Sequence, residues 1–173
     1  MSFDNIIIKL ETNYQYAVNW FSLGKLYISI KIYERVGLML YFAYASNLSK
    51  EYMKSRCGDA IPLKKVYLKN YKLVFNELAD IIQNDGGTVI GALYLISKQE
   101  LVELDRLEGY PDLYTRIVIE VEDDKGNKYD AFAYIMVDKK LESPPDHYYL
   151  TLKKGYEDWD LPLEFLENAR DMK

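Results

Sequence analysis

The chain has 173 residues and a formal net charge of −5, and 49% of its residues are hydrophobic. This length suits one domain, or one domain with an appendage, and the apolar share is enough for a packed core. The negative charge and the absence of a long run of Lys and Arg argue against nucleic acid as a partner. The single cysteine, Cys57, excludes an internal disulfide and a multi-cysteine metal site, and it is compatible with a reducing compartment.

Signals for membrane insertion and secretion are also missing from the sequence. No stretch reaches the roughly 18–20 uncharged apolar residues that span a bilayer. The nearest candidate, residues 17–33, is interrupted by Lys25 and Lys31. The first residues do not show a basic segment followed by an apolar run and a small-residue cleavage site. We therefore expect no membrane partner and a cytoplasmic protein.

Residues 1–38 differ in composition from the rest of the chain. They are rich in Tyr and Ile and contain four basic and three acidic residues, whereas the remainder contains 18 basic and 24 acidic residues. Gly37 interrupts the pattern shortly before Met39. Two interpretations stay open: an N-terminal extension ahead of the natural start, or an additional strand or helix packed on the domain. Residues 39–173 form the predicted domain.

The first half of this domain is predicted to be mainly β-structure. A continuous apolar run at 38–44 is typical of a buried strand. Ser49 is a suitable N-cap for a short helix that ends near Arg56. Two short strands, a turn and a buried β-branched strand are then predicted at 65–67, 71–76, 84–87 and 88–96.

A helix and a hairpin make up most of the second half. Ser97 and Glu100 form a capping box that predicts a helix over 98–107, and Gly109 ends it. A hairpin and two further helices are predicted at 114–122, 128–136, 149–155 and 163–170. This order predicts an α+β (mixed α/β) domain whose sheet curls into a barrel with flanking helices. Strand–helix alternation is too sparse for a doubly wound nucleotide-binding fold.

Several common kinds of active site are excluded. The sequence contains no GxGxxG, no Walker A motif and no G-x-S-x-G elbow. The only histidine, His147, lies beside Pro144-Pro145 in a loop-like segment, where a surface or capping role is the simplest interpretation. Histidine-based zinc sites are therefore excluded as well.

The segment from Tyr41 to Leu48 is the first candidate site. A buried strand here ends in small and polar residues directly before a helix. Such a turn exposes backbone N–H groups with a helix N-terminus behind them, which is a geometry that binds carboxylates. An ordinary strand-to-helix turn capped by Ser and Asn is the alternative interpretation.

Glu108 is the second candidate. It is the last residue of the predicted amphipathic helix and precedes a Gly-Tyr-Pro turn. A carboxylate at a helix C-terminus meets the unfavourable end of the helix dipole. Its position there therefore suggests a functional rather than a stabilising role.

These two segments carry a resemblance to a known family. Residues 41–48, Tyr-Phe-Ala-Tyr-Ala-Ser-Asn-Leu, resemble the YFAYGSNL signature of gamma-glutamylcyclotransferases and their AIG2-like and butirosin-pathway relatives. The Glu-Gly-Tyr-Pro sequence at 108–111 resembles the segment that carries the family's catalytic glutamate. Further matches occur in family order at 69–75, 91–94, 133–134, 155–157 and 161–162. The resemblance covers about 39–169 and leaves residues 1–38 outside.

The resemblance implies a reaction as well as a fold. Such enzymes convert a γ-glutamyl amide to 5-oxoproline and a free amine without a cofactor, and Glu108 would be the general base and then the general acid. The substrate would be held by seven residues: Tyr44, Ala45, Ser46, Asn47, Leu48, Tyr114 and Tyr134. The implied partner is a small γ-glutamyl substrate, and the protein would be a monomer or a homodimer.

One position departs from the family signature. Ala45 stands where the family has glycine. A positive φ at this position would strain alanine by about 1 kcal/mol or more, whereas a negative φ would cost little. A non-catalytic module of the same fold, which binds γ-glutamyl groups or carboxylates or has a regulatory role, therefore stays open as the alternative function.

Overall fold

The computed structural model describes residues 37–171. Within these residues the chain forms five strands, four α-helices and one 3-10 helix. The strands are β1 (Leu38–Ala43), β2 (Ile61–Asn76), β3 (Leu78–Ser97), β4 (Tyr114–Glu122) and β5 (Lys128–Met136). The α-helices are α1 (Lys50–Arg56), α2 (Lys98–Glu108), α3 (Asp146–Asp158) and α4 (Glu164–Asp171), and the 3-10 helix is Ser46–Leu48.

The strands close into a barrel in the order β1-β3-β2-β4-β5. Neighbouring strands are antiparallel except at the closure, where β1 meets β5 in parallel through the pair Tyr41 and Phe132. The contact between β2 and β4 is equally narrow, with Tyr67 opposite Glu122. The predicted α+β fold, with a curled mixed sheet and flanking helices, is therefore confirmed.

Strands β2 and β3 are longer than the sequence patterns indicate. They form one antiparallel hairpin whose ends meet at Glu77, a residue with a φ of 56°. The predicted turn at 84–87 lies inside β3, where the register shifts between Lys69 and Tyr71 of the facing strand. These residues form an irregularity in the ladder, not a chain reversal. Residues 78–83, which we did not predict as a strand, pair with 71–76.

The helix ends agree with the predicted capping chemistry. Ser97 accepts a hydrogen bond from the backbone N–H of Glu100, and the Glu100 side chain accepts one from the N–H of Ser97. Gly109 ends α2 with a φ of 63°, a conformation that favours glycine. No helix in the described part of the chain is long and apolar enough to cross a membrane.

The predicted boundary between an extension and a domain falls at the start of the described residues. Strand β1 begins at Leu38, which pairs with Ser97. Residues 1–36 lie outside the described residues, so the division into 1–38 and 39–173 stays a prediction.

Tyr156 is a buried residue of α3 that carries an unsatisfied hydroxyl. Its side chain is fully buried, and among the described residues the hydroxyl has no hydrogen-bond partner. Tyr156→Phe is therefore expected to leave the free energy of unfolding unchanged or to raise it by up to about 1 kcal/mol. Urea unfolding at neutral pH measures the change.

Tyr129→Phe is the matched control for this prediction. The Tyr129 hydroxyl donates to Asp123 Oδ2 at 3.0 Å and accepts from Lys64 Nζ at 2.8 Å. Its removal is expected to cost about 1–2 kcal/mol. A comparable loss for Tyr156→Phe would contradict the prediction, because it would show that the Tyr156 hydroxyl has a partner in solution.

Candidate active site

The turn between β1 and α1 forms one wall of the site. Strand β1 ends at Ala43, the 3-10 helix comes next, and Ser49 caps α1 by accepting from the N–H of Tyr52 at 3.3 Å. Asn47 and Leu48 are buried, whereas Ala45 and Ser46 are half-buried. At the start of α1 the N–H groups of Lys50 and Tyr52 already donate to Asp158 Oδ2 at 2.9 Å and to Ser49 Oγ at 3.3 Å. Donors for an anion would therefore come from the turn ahead of α1.

Ala45 has a φ of −116° and a ψ of −142°. The negative φ is open to any L-residue, so the methyl group requires no strained backbone here. The left-handed backbone that would strain alanine at this position is therefore absent.

Helix α3 holds this turn from behind. Gly155 packs so closely that a β-carbon added there would lie 2.8 Å from the Ser49 nitrogen. The Leu48 carbonyl accepts from the Trp159 indole N–H at 2.9 Å and from the Tyr94 hydroxyl at 3.3 Å. The position of the turn is therefore fixed by groups distant from it in the sequence.

Glu108, at the end of α2, reaches this turn. Its Oε1 accepts from Asn47 Nδ2 at 3.0 Å and from Arg56 Nη1 at 2.7 Å. Arg56 Nη1 also donates to Asn47 Oδ1 at 2.8 Å, which closes a triangle of three side chains. The side chains of Arg56 and Glu108 are 16% and 14% exposed, so solvent and a ligand can reach both.

The hydroxyls of two buried tyrosines, Tyr41 and Tyr114, are influenced by the charge of this carboxylate. Tyr41 is buried, and its hydroxyl accepts from Asn47 Nδ2 at 3.0 Å. Burial raises the pKa of Tyr41 and Tyr114 well above the usual range, and the charge of Glu108 raises both further. Both hydroxyls therefore stay protonated at neutral pH and can act only as hydrogen-bonding groups.

Three predicted binding tyrosines have hydroxyls engaged with protein acceptors. Tyr44 donates to the Tyr134 carbonyl at 2.6 Å, and Tyr114 donates to the Ala79 carbonyl at 2.9 Å. Tyr134 donates to Asp105 Oδ1 at 2.7 Å. These hydrogen bonds engage the three hydroxyls as donors, and contact of the three side chains with a substrate stays a prediction.

Arg56 is the residue of this network that sequence reasoning missed. A basic residue in the last turn of a helix already has a sufficient explanation in the helix dipole. Arg56 and Glu108 lie on different helices, 52 positions apart in the chain, and meet only in the folded structure. Across residues 37–171 no group of His, Cys, Asp and Glu side chains has a geometry that could hold a metal ion.

The candidate active site combines an acidic side chain with the turn that precedes a helix. Both lie on a closed five-stranded barrel. The family described as gamma-glutamyl cyclotransferase, AIG2-like, matches residues 41–161, well over half of the chain. That range contains the turn, Glu108 and α3. This chain therefore belongs to the gamma-glutamyl cyclotransferase, AIG2-like family, and the sequence resemblance is confirmed.

Individual relatives agree with this assignment. A human gamma-glutamylcyclotransferase is 28% identical over 144 residues, which cover 76% of this chain and 77% of that protein. A putative gamma-glutamylcyclotransferase of Bacillus subtilis (strain 168) is 30% identical over 141 residues, covering 75% of this chain and 50% of that protein. A solved structure of a gamma-glutamyl cyclotransferase superposes with a TM-score of 0.72 at 27% identity, covering 79% of this chain and 88% of that one.

Proposed function

We propose that this protein is a γ-glutamylcyclotransferase that converts a γ-glutamyl amide to 5-oxoproline and a free amine. Membership of the family and the names of the relatives support the reaction class. The observation that carries the proposal is the 3.0 Å contact between Glu108 Oε1 and Asn47 Nδ2, because it joins the two sequence segments that the chemistry requires.

Each step of the proposed reaction balances with one carboxylate. The α-ammonium of the substrate gives a proton to Glu108, and the neutral amine attacks its own γ-carbonyl carbon. A C–N bond forms, the five-membered ring closes, and the carbonyl oxygen becomes an oxyanion. The protonated Glu108 then returns the proton to the departing nitrogen, the original amide C–N bond breaks, and the carbonyl re-forms. The ring nitrogen still carries a second proton from the original ammonium group. It gives this proton to the regenerated carboxylate, which passes it to the released amine or to water.

Folding the substrate back on itself is the main task of the protein. An intramolecular attack is accelerated strongly when the reacting atoms are held close together. Backbone N–H groups at Ala45 and Ser46 would bind the α-carboxylate or steady the oxyanion, as in other anion-binding turns. No external nucleophile or electrophile enters these steps, so the proposed enzyme is independent of a cofactor.

Release of 5-oxoproline from a panel of γ-glutamyl amino acids and γ-glutamyl amines tests the proposal. We expect release from at least one class of γ-glutamyl compound, and none above the spontaneous rate from α-glutamyl peptides of the same amino acids. Dialysis of the enzyme against EDTA is expected to leave the rate unchanged. The preferred leaving amine would identify the substrate class.

Two other results would contradict the proposal. Binding of γ-glutamyl compounds without 5-oxoproline release, shown by calorimetry on the same panel, would identify a non-catalytic γ-glutamyl-binding module. Loss of activity on EDTA treatment, restored by a metal ion, would contradict the cofactor-independent mechanism.

A further inference from the structure

Arg56 uses only one of its nitrogens in the triangle with Glu108 and Asn47. Both hydrogen bonds, to Glu108 Oε1 and to Asn47 Oδ1, leave from Nη1. Within residues 37–171, Nε and Nη2 have no hydrogen-bond acceptor. The guanidinium lies over the ring of Tyr52, with its central carbon 4.8 Å from the ring centroid. The ion pair therefore leaves one edge of a partly exposed guanidinium open.

The chemistry of a γ-glutamyl group places a second carboxylate next to this edge. Its α-amine and α-carboxylate are attached to the same carbon. When the amine lies against Glu108, the α-carboxylate must lie close to the residues that contact Glu108. Arg56 is the cation in contact with Glu108, with 2.7 Å between Nη1 and Oε1.

The electrostatics of the site point to the same residue. A second carboxylate beside Glu108 would be repelled unless a cation offsets its charge. Lys50, the basic residue directly after the turn, is occupied, because its Nζ donates to the Asp158 carbonyl at 2.6 Å. The planar fork of arginine matches a carboxylate with two parallel N–H bonds, which a lysine cannot provide.

We propose that Arg56 binds the α-carboxylate of the γ-glutamyl group through its open edge and makes a free α-carboxylate a requirement for turnover. This inference rests on the proposed function. It assigns to Arg56 a role in substrate selection, beyond holding Glu108 in place. The backbone donors of the turn are then available for the developing oxyanion.

Two substrates distinguish binding of the α-carboxylate by Arg56 from mere positioning of Glu108 by Arg56. One is the γ-glutamyl compound with the preferred leaving amine, and the other is its analogue with an α-carboxamide in place of the α-carboxylate. We would measure kcat/KM for both with the wild type, Arg56→Met and the control Arg106→Met. Arg106 is an exposed arginine of α2 that pairs with Glu103. Intrinsic differences in reactivity between the substrates cancel when their ratio is compared across variants.

In Arg56→Met the preference for the carboxylate substrate is expected to fall roughly 10- to 100-fold relative to the wild type. Arg106→Met is expected to keep the wild-type preference. An equal loss for both substrates in Arg56→Met would overturn the proposal, because it would show that Arg56 only positions Glu108. If Arg56→Met does not fold, Arg56→Lys decides: a reduced preference supports the proposal, and an unchanged one overturns it.

Failure of the proposed function gives a different result. In that case the wild type releases 5-oxoproline from neither substrate, and the role of Arg56 in substrate binding falls with the reaction. Wild-type turnover with an unchanged preference in the variants would overturn the arginine proposal alone.

Discussion

Glu108→Gln is expected to lower 5-oxoproline release by roughly 10²- to 10⁴-fold, the range in which general acid–base catalysis contributes. Glutamine has the same shape and keeps an oxygen that accepts from Asn47 and Arg56, so the triangle of side chains can persist. It cannot accept the proton of the α-ammonium or return it to the leaving amine. The loss should therefore lie in kcat, with KM nearly unchanged.

The folded state of this variant is the essential companion measurement. Far-UV circular dichroism and thermal unfolding should resemble the wild type, because glutamine fills the same volume and keeps an oxygen that can accept from Asn47 and Arg56. Glu103→Gln is the matched control: it removes a carboxylate from the exposed face of the same helix, where Glu103 pairs with Arg106. Wild-type turnover by Glu108→Gln would refute the assignment of the acid–base residue. An unfolded variant would show that Glu108 is structural.

Gly155→Ala is expected to damage both stability and activity, although alanine is the better helix former by about 1 kcal/mol. The added β-carbon would lie 2.8 Å from the Ser49 nitrogen, 2.9 Å from Leu48 Cβ and 3.0 Å from the Leu48 carbonyl carbon. Two of these atoms belong to the backbone of the turn and cannot rotate away. The turn and α3 must separate, at a cost of about 1–3 kcal/mol.

A displaced turn would also misplace the substrate. A shift of about 1 Å in a positioning element can cost 10²-fold in rate, so kcat/KM should fall even at temperatures where the variant stays folded. Gly58→Ala is the control, because the nearest atom to its added β-carbon would be 3.9 Å away. Gly155→Ala with wild-type stability and activity would contradict the packing of α3 on the turn.

The elements that the sequence predicted best have their determinants close together in the chain. Helix α2 is the clearest case, because Ser97, Glu100 and Gly109 specify its two ends through contacts that span only a few residues. The β4–β5 hairpin was predicted with the bounds that the structure has, since alternating strands and their turn are adjacent in the sequence.

The long hairpin of β2 and β3 escaped prediction because local turn chemistry is ambiguous. The sequence Asn84-Asp85-Gly86-Gly87 is typical of a hairpin turn, but the same residue types also serve irregularities inside a strand. The real reversal lies at Glu77, a residue that rarely adopts a positive φ. Pairing across the barrel, which is not visible in a short sequence window, decides between the two positions.

The network around Glu108 was predicted only in part. Asn47 and Glu108 were expected to serve one site, and the structure brings them to 3.0 Å. Arg56 was missed because its partner lies on another helix. Tyr44, Tyr114 and Tyr134 were predicted as substrate contacts, and this stays a prediction. The acceptors that engage their hydroxyls, such as Asp105 for Tyr134, are distant in the sequence and could not be predicted from it.

The residues that hold the turn at Leu48 in place, Gly155 and Trp159, lie near the C-terminal end of the chain. Protein synthesis proceeds from the N-terminus, so every barrel strand and Glu108 leave the ribosome before Gly155 and Trp159. A nascent chain at that stage already has its proposed catalytic side chain, but lacks the groups that hold Leu48 from behind. The proposed activity is therefore expected to arise last in biosynthesis, when α3 docks on a barrel that has already been synthesised in full.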